Sequence, residues 1–259
     1  MSTLSTSTSW RSSPEELVLD DNEVHVWRAS LHQKRQIVRA LSEHLKPDER
    51  KRAHGFRFPL DREYFVVGRG VLRDILSRYL RTTPDQISFS YNDYGKPTLD
   101  GEGGDQGLRF NLSHSHGVAL YVVTRERSVG VDLEFIREDF DCVEIATRFF
   151  SPSEVTTVRT LLPNLQAAAF FNCWTRKEAF IKAIGDGLSR PLDQFSVSLV
   201  PKEPACLLSI DDDSQAAARW YMKEIFPGPG FTAAVVTEGH PRIFHYWQWY
   251  KRTSQVGAI

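Results

Sequence analysis

The chain has 259 residues, 41% of them hydrophobic, with 32 Lys plus Arg against 33 Asp plus Glu and a formal net charge of −1. That supplies enough apolar material for one large domain or two modest ones, and the even charge balance argues against a surface built to coat nucleic acid while leaving room for a local basic patch. No apolar run approaches the roughly 18 residues of a membrane span, and three scattered cysteines, Cys142, Cys173 and Cys206, form no CxxC pair, which suits a reducing, cytoplasmic location.

In chain order, residues 1–13 are rich in Ser and Thr, lack the apolar core of a secretory signal, and read as a disordered tail. Glu23 to Trp27 alternates as a short strand. Ile37, Val38, Leu41 and Leu45 form a helical stripe that Pro47 stops. Asp48 is placed to cap a basic helix, Glu49 to Arg57, and Asp61 to cap a third helix that buries Phe65, Leu72, Ile75, Leu76 and Tyr79. Ile87 to Ser90 reads as a strand before the turn Tyr94-Gly95-Lys96-Pro97, and Asp100 to Gly107 as a solvated loop. Phe110 to His114, Val118 to Thr124 and Val129 to Glu134 read together as a small antiparallel sheet.

Ser151-Pro152-Ser153-Glu154 is a capping box with proline at the first helical position. A long helix from about Leu165 to Ile184 ends at Gly185, a residue suited to the left-handed cap. Phe195 to Leu199, Cys206 to Ile210, Trp220 to Ile225 and Phe231 to Val236 read as strands, and 253–259 as a frayed tail.

Two stretches carry chemistry. In Val129-Gly130-Val131-Asp132-Leu133-Glu134 the strand period of two puts both acids on one face and the aliphatics on the other. In Trp174-Thr175-Arg176-Lys177-Glu178-Ala179-Phe180-Ile181-Lys182, Glu178 interrupts the apolar stripe Phe171, Trp174, Ile181, and a buried carboxylate needs compensation. Glu178 and Lys182 share a helix face, although four-apart opposite charges also make ordinary surface pairs. Brought together, Asp132, Glu134, Glu178 and Lys182 could hold a hard cation such as Mg²⁺ beside phosphate oxygens. Ser113-His114-Ser115-His116 lacks the further ligands of a zinc site and the elbow of a serine nucleophile; phosphate contact suits Ser113 and His114 better. Lys96 sits on a rigid Gly–Pro turn that presents a cation, or a plain solvent lysine. Arg50-Lys51-Arg52 reads alone as a solvated face, and neither a Walker loop nor GxGxxG follows a strand.

In order, Tyr94-Gly95-Lys96-Pro97, Phe110-Asn111-Leu112-Ser113-His114-Ser115, the Asp132 strand, Arg148-Phe149-Phe150-Ser151, the Glu178 helix and Gly185-Asp186-Gly187-Leu188 resemble the 4′-phosphopantetheinyl transferases of the Sfp, surfactin-synthetase-activating, type. The resemblance spans about Glu49 to Leu199; Asp186 departs from it, since a basic residue is more usual there. It implies transfer of the phosphopantetheine arm of coenzyme A to a serine of an acyl or peptidyl carrier protein, with release of adenosine 3′,5′-bisphosphate. It implies Asp132, Glu134 and Glu178 as Mg²⁺ ligands, Lys182 as the catalytic-site lysine, and Arg52, Lys96, Ser113 and His114 as coenzyme A contacts. The implied fold is α+β, a pseudo-dimer of two similar α+β halves: 14–128 binding coenzyme A, and 129–252 carrying Mg²⁺ and catalysis.

Glu178, or a water it holds, is the candidate base. Arg137, Arg148, Phe149 and Phe150 are candidates for carrier docking, with the core as the other reading of the two phenylalanines. Two half-domains in one chain favour a monomer, with no nucleic acid or membrane among its partners. Two rivals are a Mg²⁺-dependent nuclease or phosphodiesterase and a non-enzymatic coenzyme A-binding module.

Overall fold

Strand and helix periodicities sort most apolar residues of this chain onto three large interiors, with a small fourth cluster at Leu45, Ala53 and Val66, and the candidate site lies where two of its sheets meet. The computed structural model describes residues 8–101, 104, 106–185, 190–211 and 213–251. The chain begins with β1 (Arg11–Ser12), β2 (Glu23–Ser30), α1 (Arg35–Glu43), α2 (Pro47–His54), α3 (Pro59–Leu80), β3 (Phe89–Tyr91), β4 (Pro97–Leu99), β5 (Leu108–Ser115) and β6 (Val118–Arg125). Next come β7 (Val129–Phe135), α4 (Cys142–Phe149), α5 (Pro152–Thr160), α6 (Pro163–Ile184), β8 (Phe195–Val197), β9 (Leu207–Ile210), α7 (Ser214–Ala217), β10 (Trp220–Ile225), β11 (Phe231–Glu238) and β12 (Ile243–Gln248).

A five-stranded sheet has the order β1-β12-β2-β6-β5 and a three-stranded sheet the order β10-β11-β7. Alternation gives each sheet two working faces. On the first, Trp27, Ala29, Tyr121 and Val123 meet Leu72, Ile75 and Leu76 of α3. Val24, Val26, Leu120 and Val122 point the other way and pack on Val129, Val131, Leu133, Ala233 and Val235 of the second sheet. The opposite face of β11, with Ala234 and Val236, shares a third interior with Phe171, Ala179 and Phe180 of α6. Each large apolar side chain fully buried in this way contributes about 1.5–3 kcal/mol.

The structure departs from the sequence pattern at four places. Helices α2 and α3 start at Pro47 and Pro59, after Lys46 and Phe58, so neither Asp48 nor Asp61 is the cap; both lie in the first turn, where they complement the dipole. The Asp132 strand joins β11, antiparallel with Val131 opposite Val235, rather than the β5–β6 hairpin. β12 returns to the first half and runs parallel to β2, although chain position groups it with the second half. Arg11 and Ser12 pair with Trp247 and Gln248, so part of the expected tail is ordered. Trp10 explains it, packing edge-on against Tyr246 and donating its indole N–H to the Phe226 carbonyl at 3.0 Å. The remaining tail segments, 1–7 and 252–259, and 186–188 of the Gly185 motif lie outside the described residues.

Candidate active site at the junction of the halves

Helix α6 and strand β7 can touch backbone to backbone because residue 130 is glycine. A Cβ there would sit 2.1 Å from the Ala179 carbonyl oxygen and 2.4 Å from the Ala183 nitrogen, inside any tolerable contact. Two residues on, Asp132 therefore meets the helix at Lys182. Val129, Val131 and Leu133 fill the inter-sheet core, leaving Asp132 and Glu134 on the helix side, as the period of two requires.

Asp132 is only 4% exposed. Its Oδ1 accepts from Lys182 Nζ at 2.6 Å and from Ser113 Oγ at 2.9 Å. Its Oδ2 is buried without a hydrogen-bond partner. Glu134 accepts from Ser115 Oγ at 3.1 Å. Glu178, one turn before Lys182, lines the same cleft of about 980 Å³ with Ser113, His114, Asp132, Glu134 and Lys182.

The charges feel one another. Burial, then the Asp132 charge, raise the Glu178 carboxyl above its ordinary range, with Glu134 adding and Lys182 opposing. Burial and Asp132 raise Glu134 likewise, countered by Ser115 and Lys182. His114 keeps part of its ring open to the cleft, yet surrounding atoms and the Lys182 ammonium lower its pKa. Asp132, Glu134 and Glu178 line one cleft and Asp132 keeps a buried oxygen unpartnered; their ligand atoms do not all fall within 4.8 Å of one another, but their all-oxygen chemistry fits a hard cation such as Mg²⁺.

Strand β5 supplies the other wall. Asn111, Ser113 and Ser115 alternate along it and bridge the two sheets by side chains. Asn111 Oδ1 accepts from the Val131 N–H at 3.0 Å, and Ser115 Oγ accepts from the Phe135 N–H at 3.2 Å. This polar stripe at a spacing of two is the signal that could have identified Asn111 and Ser115. Leu112, Trp174 and Arg190 also line the cleft, but a Leu, a Trp in an apolar stripe and a lone Arg carry no distinguishing pattern in sequence.

Not every expected residue faces the cleft. The Lys96 ammonium donates to the carbonyls of Lys182 and Ala183 at the C-terminal end of α6, the latter at 3.2 Å. It thus satisfies orphan carbonyls at the negative end of the helix dipole, helped by Asn92 Nδ2 donating to the Gly185 carbonyl at 2.9 Å. Burial, with Arg109 nearby, lowers Lys96 to about 8. Arg52 is exposed on α2 and lies 5.4 Å over the Phe65 ring, apart from the residues that line the acidic cleft.

Of the expected docking residues, Phe150 is core, stacked on Phe170. Phe149 is 45% exposed, edge-on to Trp174, and lines the cleft with Arg148. Arg137 is exposed, its guanidinium 5.6 Å from the Phe140 ring.

Comparison with known proteins finds similarity along most of the chain. Residues 128–236 match the 4′-phosphopantetheinyl transferase superfamily, and residues 25–126 match the N-terminal region of 4′-phosphopantetheinyl transferases. The chain is 40% identical over 240 residues to the 4′-phosphopantetheinyl transferase HetI of Nostoc sp., covering 92% of this chain and 98% of that protein. It is 31% identical over 197 residues to Sfp of Bacillus subtilis, 76% and 83% of the two chains. It is 32% identical over 204 residues to psf-1 of Bacillus pumilus, 77% and 83% of the two. With two α+β halves, an acidic cleft between them and similarity along nearly its whole length, the chain belongs to the 4′-phosphopantetheinyl transferase superfamily, on the Sfp-like side.

Proposed function

We propose that this protein transfers the 4′-phosphopantetheine arm of coenzyme A to a serine of an apo acyl or peptidyl carrier protein, with Mg²⁺, as a cytoplasmic monomer. The observation that carries this reading is the meeting of Asp132, Glu134, Glu178 and Lys182 in one cleft, in a chain that matches the family on both sides of it.

The carrier serine oxygen attacks the phosphorus that bears the pantetheine arm. The bond from that phosphorus to the bridging oxygen breaks, and adenosine 3′,5′-bisphosphate leaves. Glu178, or a water it holds, would take the serine proton through the oxygen it does not give to Mg²⁺. The Lys182 ammonium, already aligned by Asp132 and Ser113, donates to the oxygens on which charge builds. His114 and Ser113 line the wall where the phosphates would lie. Asp132, Glu134 and Glu178 would hold Mg²⁺, which supplies positive charge beside the pyrophosphate. Phe149 and Arg148 at the cleft edge offer an apolar and basic contact for an acidic carrier helix.

The test is mass spectrometry of an apo carrier protein after incubation with coenzyme A and Mg²⁺. The carrier serine gains the mass of the arm, and chelation of the metal abolishes the gain. Coenzyme A binding without transfer across a panel of carriers, or DNA cleavage in place of transfer, would overturn the reading.

A further inference from the structure

Parallel pairing of β12 with β2 sets His245 directly opposite His25, and Glu23 shares the strand face of His25 two residues away. Ligand atoms of Glu23, His25 and His245 all lie within 4.8 Å of one another, the three-residue cluster among the described residues that meets this spacing. His25 Nε2 lies 3.4 Å from Glu23 Oε2, and His245 Nε2 lies 3.3 Å from Glu23 Oε1. These separations are long for charge-assisted hydrogen bonds. They reach the two different oxygens of Glu23, and one ligand atom from each residue lies within 4.8 Å of the others, so side-chain adjustment alone separates the cluster from the roughly 3.3 Å edges of a tetrahedron around Zn²⁺.

The second observation is an orphan. His25 is 2% exposed, and its Nε2 has no hydrogen-bond partner. Its Nδ1 lies 2.7 Å from the Tyr79 hydroxyl, which also accepts from Trp27 Nε1 at 2.9 Å. A metal on Nε2 selects the tautomer that carries its proton on Nδ1, where the Tyr79 oxygen lies in reach to accept it, and a fixed outer hydrogen bond of this kind accompanies metal-bound histidines. His245 is partly open to solvent, giving an entry path and room for water at a fourth position.

We propose that Glu23, His25 and His245 form a metal site, separate from the acidic cleft, which takes a Zn²⁺-class ion and pins β12 to β2. Two imidazoles and one carboxylate prefer such an ion over Mg²⁺, so the two sites sort their metals by ligand chemistry. The proposal does not depend on the reading of the cleft.

The full chain, stripped of metal and held in excess Mg²⁺ to occupy the cleft acids, is titrated with Co²⁺ and then Zn²⁺. Co²⁺ should bind at one equivalent with the visible absorption of a four-coordinate ion and quench the emission of nearby Trp27 and Trp247. Zn²⁺ at 100-fold over its Kd should raise Tm by about 5 °C or more. His245→Gln, at a half-exposed position that tolerates change, should weaken binding at least about 10-fold, and Tyr79→Phe by about 10-fold. Transfer activity of His245→Gln in Mg²⁺ should stay within about twofold of wild type, since the residue is remote from the reacting atoms. No binding by the wild-type chain, or an equal Tm shift in His245→Gln, would overturn the proposal and leave a His–Glu–His hydrogen-bond network only.

Discussion

Two faces of helix α6 carry similar charges in opposite states. Turned from the cleft, Arg176 and Lys177 are 1% and 0% exposed. Arg176 donates to the Ser198 carbonyl at 2.7 Å and to Glu224 at 3.0 Å. Lys177 pairs with buried Glu154 at 2.8 Å and donates to the carbonyls of Leu192 and Phe195. Toward the cleft, Glu178 has charged neighbours that mostly repel it, and Asp132 keeps one oxygen unpartnered. Buried charges that are fully satisfied hold a helix in place, whereas those left short of partners await a ligand. The seven residues from Arg176 to Lys182 do both.

The largest expected effect tests the cleft side. Glu178→Gln should lower turnover by about 10²–10⁴-fold, while Tm holds or rises because the side chain no longer repels Asp132 and Glu134. Turnover at the wild-type level would remove Glu178 as the base. Next, Lys177→Met should cost about 3–5 kcal/mol of stability in urea unfolding by stranding Glu154, with kcat of the folded enzyme unchanged. A fall in kcat without loss of stability would erase the division between the two faces.

Lys96→Met should cost about 1–3 kcal/mol by leaving helix-end carbonyls unmet. A rise in KM for coenzyme A that outweighs this loss would make Lys96 a ligand contact first. The smallest effect belongs to Ser115→Ala, which removes one hydrogen bond to Glu134, worth about 1.5 kcal/mol. It should raise the Mg²⁺ concentration for half-maximal transfer by about 10-fold, with kcat at saturation unchanged.

What sequence conveys here divides along the range of the interaction. Asp132 and Glu134 on one strand face, Glu178 and Lys182 on one helix face, the Ser151–Glu154 capping box and the Gly185 stop all depend on neighbours within four residues, and all are seen. Helix α4 (Cys142–Phe149) lies just beyond that reach, being short and started only by the Asp141 side chain. Lys96 is legible as a presented cation, but its docking on a helix end 86 residues away is not. Nor is the parallel pairing of β12, whose aromatic run offers no clean alternation and whose partner stands at the other end of the chain.

That last strand has a consequence for how the protein is made. β2 is flanked by β6 on one side and by β12 on the other, and the contact between Arg28 and Gln248 spans 220 positions. As the chain leaves the ribosome from its N-terminus, β2 waits with one edge bare until residue 248 emerges, by which time the whole acidic-helix unit has had the opportunity to fold. The half that is synthesised first is therefore completed last. A single cut between the halves would leave β2 an open edge, a template for aggregation rather than an independent domain.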